Sequence, residues 1–193
     1  DDMIMTGKRH DFRIDYDVGF DGDGRLGGVA VELAARCGYS ADLSLGVNDR
    51  AMFHADNTYF YPAARIHSRR VRTDTVSNTA FRGFGGPQGM MFAERAMDAI
   101  AHTLRLDPLD VRKRNLYGPR RNVTPYGMTV DDNIAPALIE ELEHSSDYRK
   151  RRQAVSAFNA ENAFLKKGLA LTPAKFGIAF TLMHLNQAGA LLH

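Results

Sequence analysis

The stretch most suited to chemistry is the glycine-rich loop at residues 77–89, which reads SNTAFRGFGGPQG. From Phe81 to Gly86 it holds three glycines, two phenylalanines and one arginine. Glycine lets the backbone come close to a bulky ligand and adopt positive φ angles. An aromatic ring between glycines can offer an open face to a flat molecule. Pro87 suits the first turn of a helix, whose N–H groups favour anions. The sequence therefore predicts a ligand-contacting loop at a helix start.

Other catalytic and metal-binding patterns are missing from the sequence. Its seven histidines show no His-x-x-x-His or His-Glu-x-x-His spacing, which argues against a histidine metal site. Cys37 is the single cysteine, so the chain alone can form no disulfide and no cysteine-ligated zinc or iron–sulfur site. His54 and Asp56 lie near Arg50 in the sequence, and we interpret them as a structural hydrogen-bonded cluster.

Composition indicates an ordinary globular protein. Of the 193 residues, 44% are hydrophobic and 25% are charged, and no apolar run approaches the roughly 18 residues of a membrane span. The net charge of +2 is too small to indicate a polyanionic partner, so the arginine clusters at residues 69–72 and 149–152 are interpreted as solvated faces. The first residues lack a signal-peptide pattern and the single cysteine suits a reducing compartment. We therefore expect a cytoplasmic protein with neither nucleic acid nor membrane as a partner.

A β-hairpin is predicted near the beginning of the chain. Apolar and polar residues alternate over residues 12–20, which is the period of a half-buried strand. The DGDG sequence at residues 21–24 predicts a turn, and residues 26–35 return as the partner strand. Together with Glu32, this turn has the acidic spacing of a calcium loop, but Leu26 takes the place of the required glycine. The hairpin is therefore the favoured interpretation.

The later part of the chain is predicted to be mainly helical. Helices are expected within residues 41–55 and over residues 88–104, 108–115, 136–143 and 148–163. Apolar spacing predicts the longest of them, Asp107 and Asp147 are predicted N-caps, and Pro108 and Pro136 suit first turns. The remaining predictions are extended structure over residues 59–75, a loop over 118–129 and strand character over 169–182. Strands, then helices, then strands indicate an α+β class.

Three segments carry a resemblance to a known family. The loop at residues 77–89 resembles the molybdopterin-domain signature of the xanthine dehydrogenase and aldehyde oxidase family. Residues 48–57, NDRAMFHADN, resemble its substrate-arginine segment, and residues 175–190, KFGIAFTLMHLNQAGA, resemble its substrate-channel segment. Residues 163–169 are also similar. The resemblance implies one partial molybdopterin-binding domain over residues 1–193, and both ends look truncated, so we expect a fragment.

The resemblance implies a molybdenum–molybdopterin cofactor. Arg82 corresponds to the family's contact with that cofactor, where its backbone amide approaches the metal's ligands, and Phe81 and Gly83 flank this contact. FAD and 2Fe–2S clusters are expected in other domains or subunits of a parent enzyme, which we expect to be oligomeric.

Four residues correspond to the family's substrate contacts. Phe84 corresponds to the phenylalanine that stacks on a flat purine, and Phe180 to the one that meets the purine from another side. Arg50 corresponds to the arginine that faces the purine's oxygen substituent, and Thr181 to a hydrogen-bonding contact. The implied reaction oxidises hypoxanthine and xanthine to urate. A molybdenum-bound hydroxide attacks a purine carbon and hydride passes to a terminal sulfido ligand. A guanidinium can stabilise the negative charge that develops on the ring, and paired aromatic rings can fix its orientation.

No catalytic residue is assigned in this chain. The family's general-base glutamate belongs to a segment after residue 193, and a second glutamate and a glutamine belong to a segment before residue 1. We therefore expect the isolated chain to be inactive.

Two alternatives stay open. The first is an aldehyde oxidase-like hydroxylase of aldehydes or other N-heterocycles, although such enzymes generally lack an arginine at the position of Arg50. The more distant one is a non-catalytic nucleic-acid-binding module. Taken without the resemblance, Arg50 would be interpreted as a surface arginine or as the ion-pair partner of Asp49 or Asp56.

Overall fold

A three-stranded mixed sheet forms one layer of the fold in the computed structural model, which describes residues 1–193 apart from the side chain of Met3. Strand β2 (Leu26–Gly38) is central. It pairs antiparallel with β1 (Phe12–Phe20) and parallel with β3 (Ala64–Arg72). A parallel pair needs a crossover connection, and here that crossover carries helix α2 (Ser44–Phe53).

The predicted hairpin is confirmed. Its register runs from the pair Phe12–Ala35 to the pair Phe20–Leu26. Within the turn, the Oδ1 atom of Asp21 accepts the backbone N–H groups of Asp23, at 3.0 Å, and of Arg25, at 2.9 Å. Asp21, the first carboxylate of the calcium-like spacing, therefore stabilises the hairpin turn.

The remaining elements are helical. They are α1 (Asp2–Met5), α3 (Gly86–Leu104), α4 (Pro108–Asn115), α5 (Ala135–Ser145), α6 (Tyr148–Glu161) and a 3₁₀ turn at Met183–Leu185. Helix α3 buries its apolar stripe, including Phe92, Met97 and Ile100, against β1, α2 and α4. The sheet contributes Val31 and Leu33 to the same core. The chain thus has the predicted α+β architecture.

Of the two N-caps predicted from the sequence, the structure confirms one and contradicts the other. Asp107 accepts the N–H of Leu109 at 2.9 Å and caps α4, as predicted. Asp147 precedes α6, but its backbone is left-handed, with φ of 51°, and its side chain makes no capping hydrogen bond. An N-cap residue normally has extended backbone, so Asp147 cannot cap α6 with its side chain. The predicted start of the helix is therefore confirmed, and the predicted cap is wrong.

The predicted strand over residues 169–182 is wrong. The described residues form no strand there. Instead, Lys175 and Gly177 donate their backbone N–H groups to the side chains of Asn57 and His54, which follow α2. Extended structure over residues 59–75 is confirmed only in part, because β3 begins at Ala64. Within the described part of the chain, no helix combines the length and apolarity needed to cross a membrane.

Candidate functional site

The glycine-rich loop packs directly onto helix α2 before α3 begins. Gly83, Phe84 and Gly85 have successive left-handed φ angles of 90°, 50° and 98°. A Cβ at Gly85 would overlap the carbonyl oxygen of Val47 on α2. The sequence predicted close approach to a ligand, and at this glycine the close approach is to a neighbouring helix. The glycines therefore also fix the position of the loop.

Phe84 meets two of the other residues predicted to contact substrate. Its ring faces that of Phe180, with centroids 5.2 Å apart and planes inclined by 44°. The guanidinium carbon of Arg50 lies 5.7 Å from the Phe84 centroid. On the α2 side, a Cβ at Gly46 would come within 3.0 Å of the Phe84 ring. Phe84 is therefore held between the helix and Phe180.

Thr181 joins this group through the helix backbone. Its Oγ1 donates a hydrogen bond to the carbonyl oxygen of Gly46 at 3.0 Å. Thr181 ends the stretch at residues 175–181, which we call the docking segment because it lies against α2. The fold thus brings all four predicted substrate residues together from α2, the glycine-rich loop and the docking segment.

Arg50 is buried and bonded to the docking segment. Its side chain donates from Nη1 to the carbonyl oxygen of Gly177 and from Nη2 to that of Ala179. The residue is only 4% exposed, and its Nε has no hydrogen-bond partner within the described residues. Burial lowers the pKa of Arg50, but an arginine stays cationic at physiological pH. The site therefore contains a buried positive charge.

Neither neighbouring carboxylate neutralises that charge. Asp49 lies 3.6 Å from Arg70, and Asp56 lies 2.7 Å from Lys175. No ion pair joins Arg50 to a carboxylate in the part of the chain that the structure describes. The ion-paired interpretation of Arg50 is therefore not what the geometry shows.

His54 lies one helical turn after Arg50 and contacts both sides of the site. Its Nδ1 is 2.8 Å from the carbonyl oxygen of Arg50, and its Nε2 is 3.0 Å from the backbone nitrogen of Gly177. Its ring also packs on Phe176, with centroids 4.9 Å apart. Burial lowers the pKa of His54, and the nearby charges of Arg50 and Lys175 act in the same direction. The ring is therefore neutral at neutral pH.

Asp56 belongs to a separate buried cluster. Its Oδ2 accepts the hydroxyl of Tyr117 at 2.6 Å and the ammonium of Lys175 at 2.7 Å. Burial raises the pKa of Asp56, and the Lys175 charge opposes that shift. The predicted cluster of His54, Asp56 and Arg50 is thus divided, with Asp56 holding the start of the docking segment.

The three residues predicted to contact a cofactor lie on the outer side of the glycine-rich loop. The carbonyl oxygen of Arg82 accepts Nη2 of Arg9 at 2.8 Å, and the Arg9 guanidinium lies 4.3 Å from the Phe81 centroid. Among the described residues, the backbone N–H groups of Arg82 and Gly83 have no hydrogen-bond partner. These donors are available to an anionic or electron-rich group.

A cleft of about 620 Å³ opens beside Arg50. Its walls come from α2, the docking segment and the loop after α4, and include Arg50, Lys175, Phe176, Thr181 and Tyr126. No group of three or more potential metal-ligating side chains occurs in the described part of the chain. The cleft therefore presents two cations, aromatic rings and the carboxylate of Asp131 to a ligand.

Sequence reasoning missed the role of three of these residues. His54 had a usable signal, because a position four residues after Arg50 lies on the same helix face. Phe176 lies in a segment that was interpreted as a strand, and Tyr126 lies in a loop without a periodic pattern. Their positions depend on packing between distant parts of the chain.

The comparison with protein families gives one match. Residues 1–116 match the family described as molybdopterin cofactor-binding domain. The match includes the glycine-rich loop and all of α2.

Similar proteins cover the whole chain. It is 44% identical over 192 residues to the xanthine dehydrogenase of Dictyostelium discoideum and 44% identical over 193 residues to the xanthine dehydrogenase/oxidase of Felis catus. Each alignment covers 100% of this chain, and the chain spans 14% of the length of each relative. Among solved structures, the aldehyde oxidoreductase of Desulfovibrio gigas matches with a TM-score of 0.68 and 30% identity. That match covers 82% of this chain and 17% of the other.

Proposed function

Because this chain belongs to the family of molybdopterin cofactor-binding domains, we propose that it is part of a molybdenum hydroxylase that oxidises hypoxanthine and xanthine to urate. The observation that carries the proposal is the cluster of buried Arg50 with Phe84 and Phe180. Similarity along the whole chain to proteins named xanthine dehydrogenase supports it. The longer polypeptide that would contain this chain is called the full-length protein below.

The residues on the loop fit a molybdopterin cofactor. Arg82 and Gly83 have unpaired backbone N–H groups, and Arg9 fixes the Arg82 carbonyl on the opposite side of that peptide stretch. We assign Phe81, Arg82 and Gly83 to cofactor contact. The bound cofactor would supply the two-electron oxidation that no side chain of this chain can perform.

Arg50 would anchor the substrate's oxygen substituent and stabilise negative charge on the ring. A fixed positive charge in a water-excluded site stabilises a transition state by about 3–4 kcal/mol. The tilted pair of Phe84 and Phe180 rings would help to set the plane of a flat substrate, because aromatic rings hold orientation at low entropic cost. Thr181, held on Gly46, would offer a hydroxyl at the same place.

The aldehyde-oxidising alternative has support from the Desulfovibrio gigas structure, but the buried Arg50 favours a purine. An aldehyde carries no second oxygen substituent that would need a cation. The nucleic-acid alternative is disfavoured because arginines of both basic clusters are ion-paired. Arg69 lies 2.7 Å from Glu32, and Arg149 lies 2.6 Å from Asp110.

The remaining parts of the proposal concern the full-length protein. We propose that residues 1–193 all belong to one molybdopterin-binding domain, since the docking segment is bonded to α2 within the matched region. FAD and iron–sulfur domains or subunits would carry electrons away, and the enzyme would be an oligomer. The buried free thiol of Cys37 supports a cytoplasmic location.

An Arg50→Met substitution in the full-length protein tests the proposed function. We expect kcat/KM for xanthine to fall by about 10²- to 10³-fold, because a transition-state charge loses its partner. The loss for an aromatic aldehyde should be much smaller. Steady-state kinetics on both substrates gives the ratio.

Arg65→Met is the matched control, because Arg65 is an exposed arginine of β3. It should leave both substrates unaffected. Equal losses on xanthine and aldehyde in the Arg50 variant would contradict the anchoring role. A wild-type full-length protein that does not oxidise xanthine would refute the proposed function itself.

A further inference from the structure

The docking segment has a backbone without a strand partner, yet it is held at a defined place. Its carbonyl oxygens at Gly177 and Ala179 are bonded to Arg50, and its N–H at Gly177 is bonded to His54. One peptide stretch is therefore bonded to Arg50 of α2 and to His54, which directly follows that helix. Phe180 and Thr181 directly follow these contacts.

The two hydrogen bonds of His54 allow only one protonation state. Nε2 faces a backbone N–H of Gly177 at 3.0 Å, so it must be the acceptor of that bond. Nδ1 faces the carbonyl oxygen of Arg50 at 2.8 Å, so it must carry the proton. A second proton on Nε2 would place two N–H groups against each other, and the contact with Gly177 would be lost.

The surroundings of the ring favour this neutral form. The charged groups that face it are Arg50 and Asp56 from its own part of the chain and Lys175 from the docking segment. Burial is the largest influence and lowers the pKa of His54 below its ordinary value. The packing of the ring on Phe176 adds a second contact with the same segment.

We propose that His54 is a positioning residue, whose neutral ring holds Gly177 so that the docking segment keeps its carbonyl oxygens on Arg50 and its Phe180 ring against Phe84. The inference rests on the proposed function for its effect on substrate, but the contact itself does not depend on it. Without the Nε2 acceptor, the peptide of Gly177 would turn away from α2. Arg50 and Phe180 would then lose their fixed relation.

Two substitutions in the full-length protein separate the acceptor from the rest of the side chain. In His54→Asn the amide reaches the place of Nδ1 and leaves Gly177 without an acceptor. In His54→Gln the amide oxygen reaches the place of Nε2 and restores it. His102→Asn is the matched control, because His102 is an exposed histidine of α3.

The measurement is hydrogen exchange of the peptide covering residues 175–181, followed by mass spectrometry at neutral pH. His54→Asn should raise its exchange rate about tenfold, since the partly buried N–H of Gly177 loses its only acceptor and the segment opens locally. His54→Gln should return the rate to within about threefold of wild type, and His102→Asn should not change it. For kcat/KM on xanthine, we expect a large loss in His54→Asn and a much smaller one in His54→Gln.

The proposal is overturned if His54→Asn exchanges like wild type, or if His54→Gln is as impaired as His54→Asn. Should His54→Asn fail to fold, His54→Phe replaces it, since it keeps a ring over Phe176 and has no acceptor. Exchange does not require xanthine turnover. A full-length protein that leaves xanthine unoxidised but shows the expected exchange pattern would therefore refute the proposed function and support the positioning role.

Discussion

Phe84 has a left-handed backbone, which is unusual for a residue with a bulky side chain. Its φ is 50°, and such a conformation costs roughly 1–2 kcal/mol outside glycine. The surrounding contacts hold it there, because the ring is enclosed between Gly46 on α2 and Phe180 on the docking segment. Strain at the residue proposed to contact substrate is therefore balanced by the packing that orients its ring.

Gly85→Ala should be strongly destabilising. The methyl group would meet a left-handed φ of 98° and would also overlap the carbonyl oxygen of Val47. We expect a loss of more than about 3 kcal/mol in the free energy of unfolding, since both penalties add. Thermal or denaturant unfolding of the full-length protein measures it.

Gly127→Ala is the control that separates the two penalties. Gly127 has a similar φ of 82°, but a Cβ there would have nothing within 4 Å. Its loss should be about 1–2 kcal/mol, from the backbone alone. Equal losses at Gly85 and Gly127 would show that the contact with Val47 is unimportant.

Between elements, a buried charge network connects α4 and α3 to the start of the docking segment. Arg112 of α4 is 1% exposed and binds Glu94 at 2.7 Å and Asp98 at 2.8 Å, both on α3. Glu94 also accepts Asn57 Nδ2 at 2.8 Å, and Asn57 accepts the N–H of Lys175 at 3.0 Å. The helices behind the site therefore help to fix the segment that closes it.

Arg112→Met should destabilise the protein by about 3–5 kcal/mol, because Glu94 would keep a partly buried charge without its partner. Equilibrium denaturation gives the value. Arg95→Met, at an exposed arginine on the same helix as Glu94, should stay within about 0.5 kcal/mol of wild type. A loss below about 1 kcal/mol at Arg112 would mean that the network contributes little.

Local sequence signals account for the elements that were predicted well. The apolar spacing of α3 and the Asp107–Pro108 start of α4 are properties of consecutive residues, and the structure confirms both helices. The docking segment was predicted wrongly because its partners are remote. Gly177 bonds to Arg50 across 127 positions of sequence, and no local pattern reports such a pairing.

The candidate site shows the same division between local and remote information. The residue types of Arg50, Phe84, Phe180 and Thr181 came from motifs, and the fold brings them together. The hydrogen-bonded role of His54 and its place beside Arg50 could be inferred from the sequence. The bonds of Arg50 and His54 to Gly177 and Ala179 could not, because they depend on where the docking segment lies.

At the scale of the whole molecule, large apolar side chains within the docking segment and after it in the sequence remain at the surface. Ile178 is 90% exposed, and Leu191 and Leu192 are 91% and 99% exposed. Exposed apolar surface of this kind marks contact with other protein. The relatives are much longer than this chain, which spans 14% of their length. We therefore expect further parts of the full-length protein to cover this surface.

The isolated chain of residues 1–193, supplied with molybdopterin cofactor, should produce no urate from xanthine. A general base must lie within hydrogen-bond reach of the proton that it removes. Among the described residues, no hydrogen bond or ion pair joins a carboxylate to Arg50 or Thr181, and nearby Asp49 and Asp56 are paired elsewhere. Of the side chains that the structure describes, Asp131 is the one carboxylate that lines the cleft, and it is bonded to neither Arg50 nor Thr181, so xanthine could be oriented by Arg50 without a base held beside it. The assay follows urate absorbance with an artificial electron acceptor, and the full-length protein under the same conditions is the positive control. Steady urate formation by the isolated chain would show that a base within these residues had been overlooked.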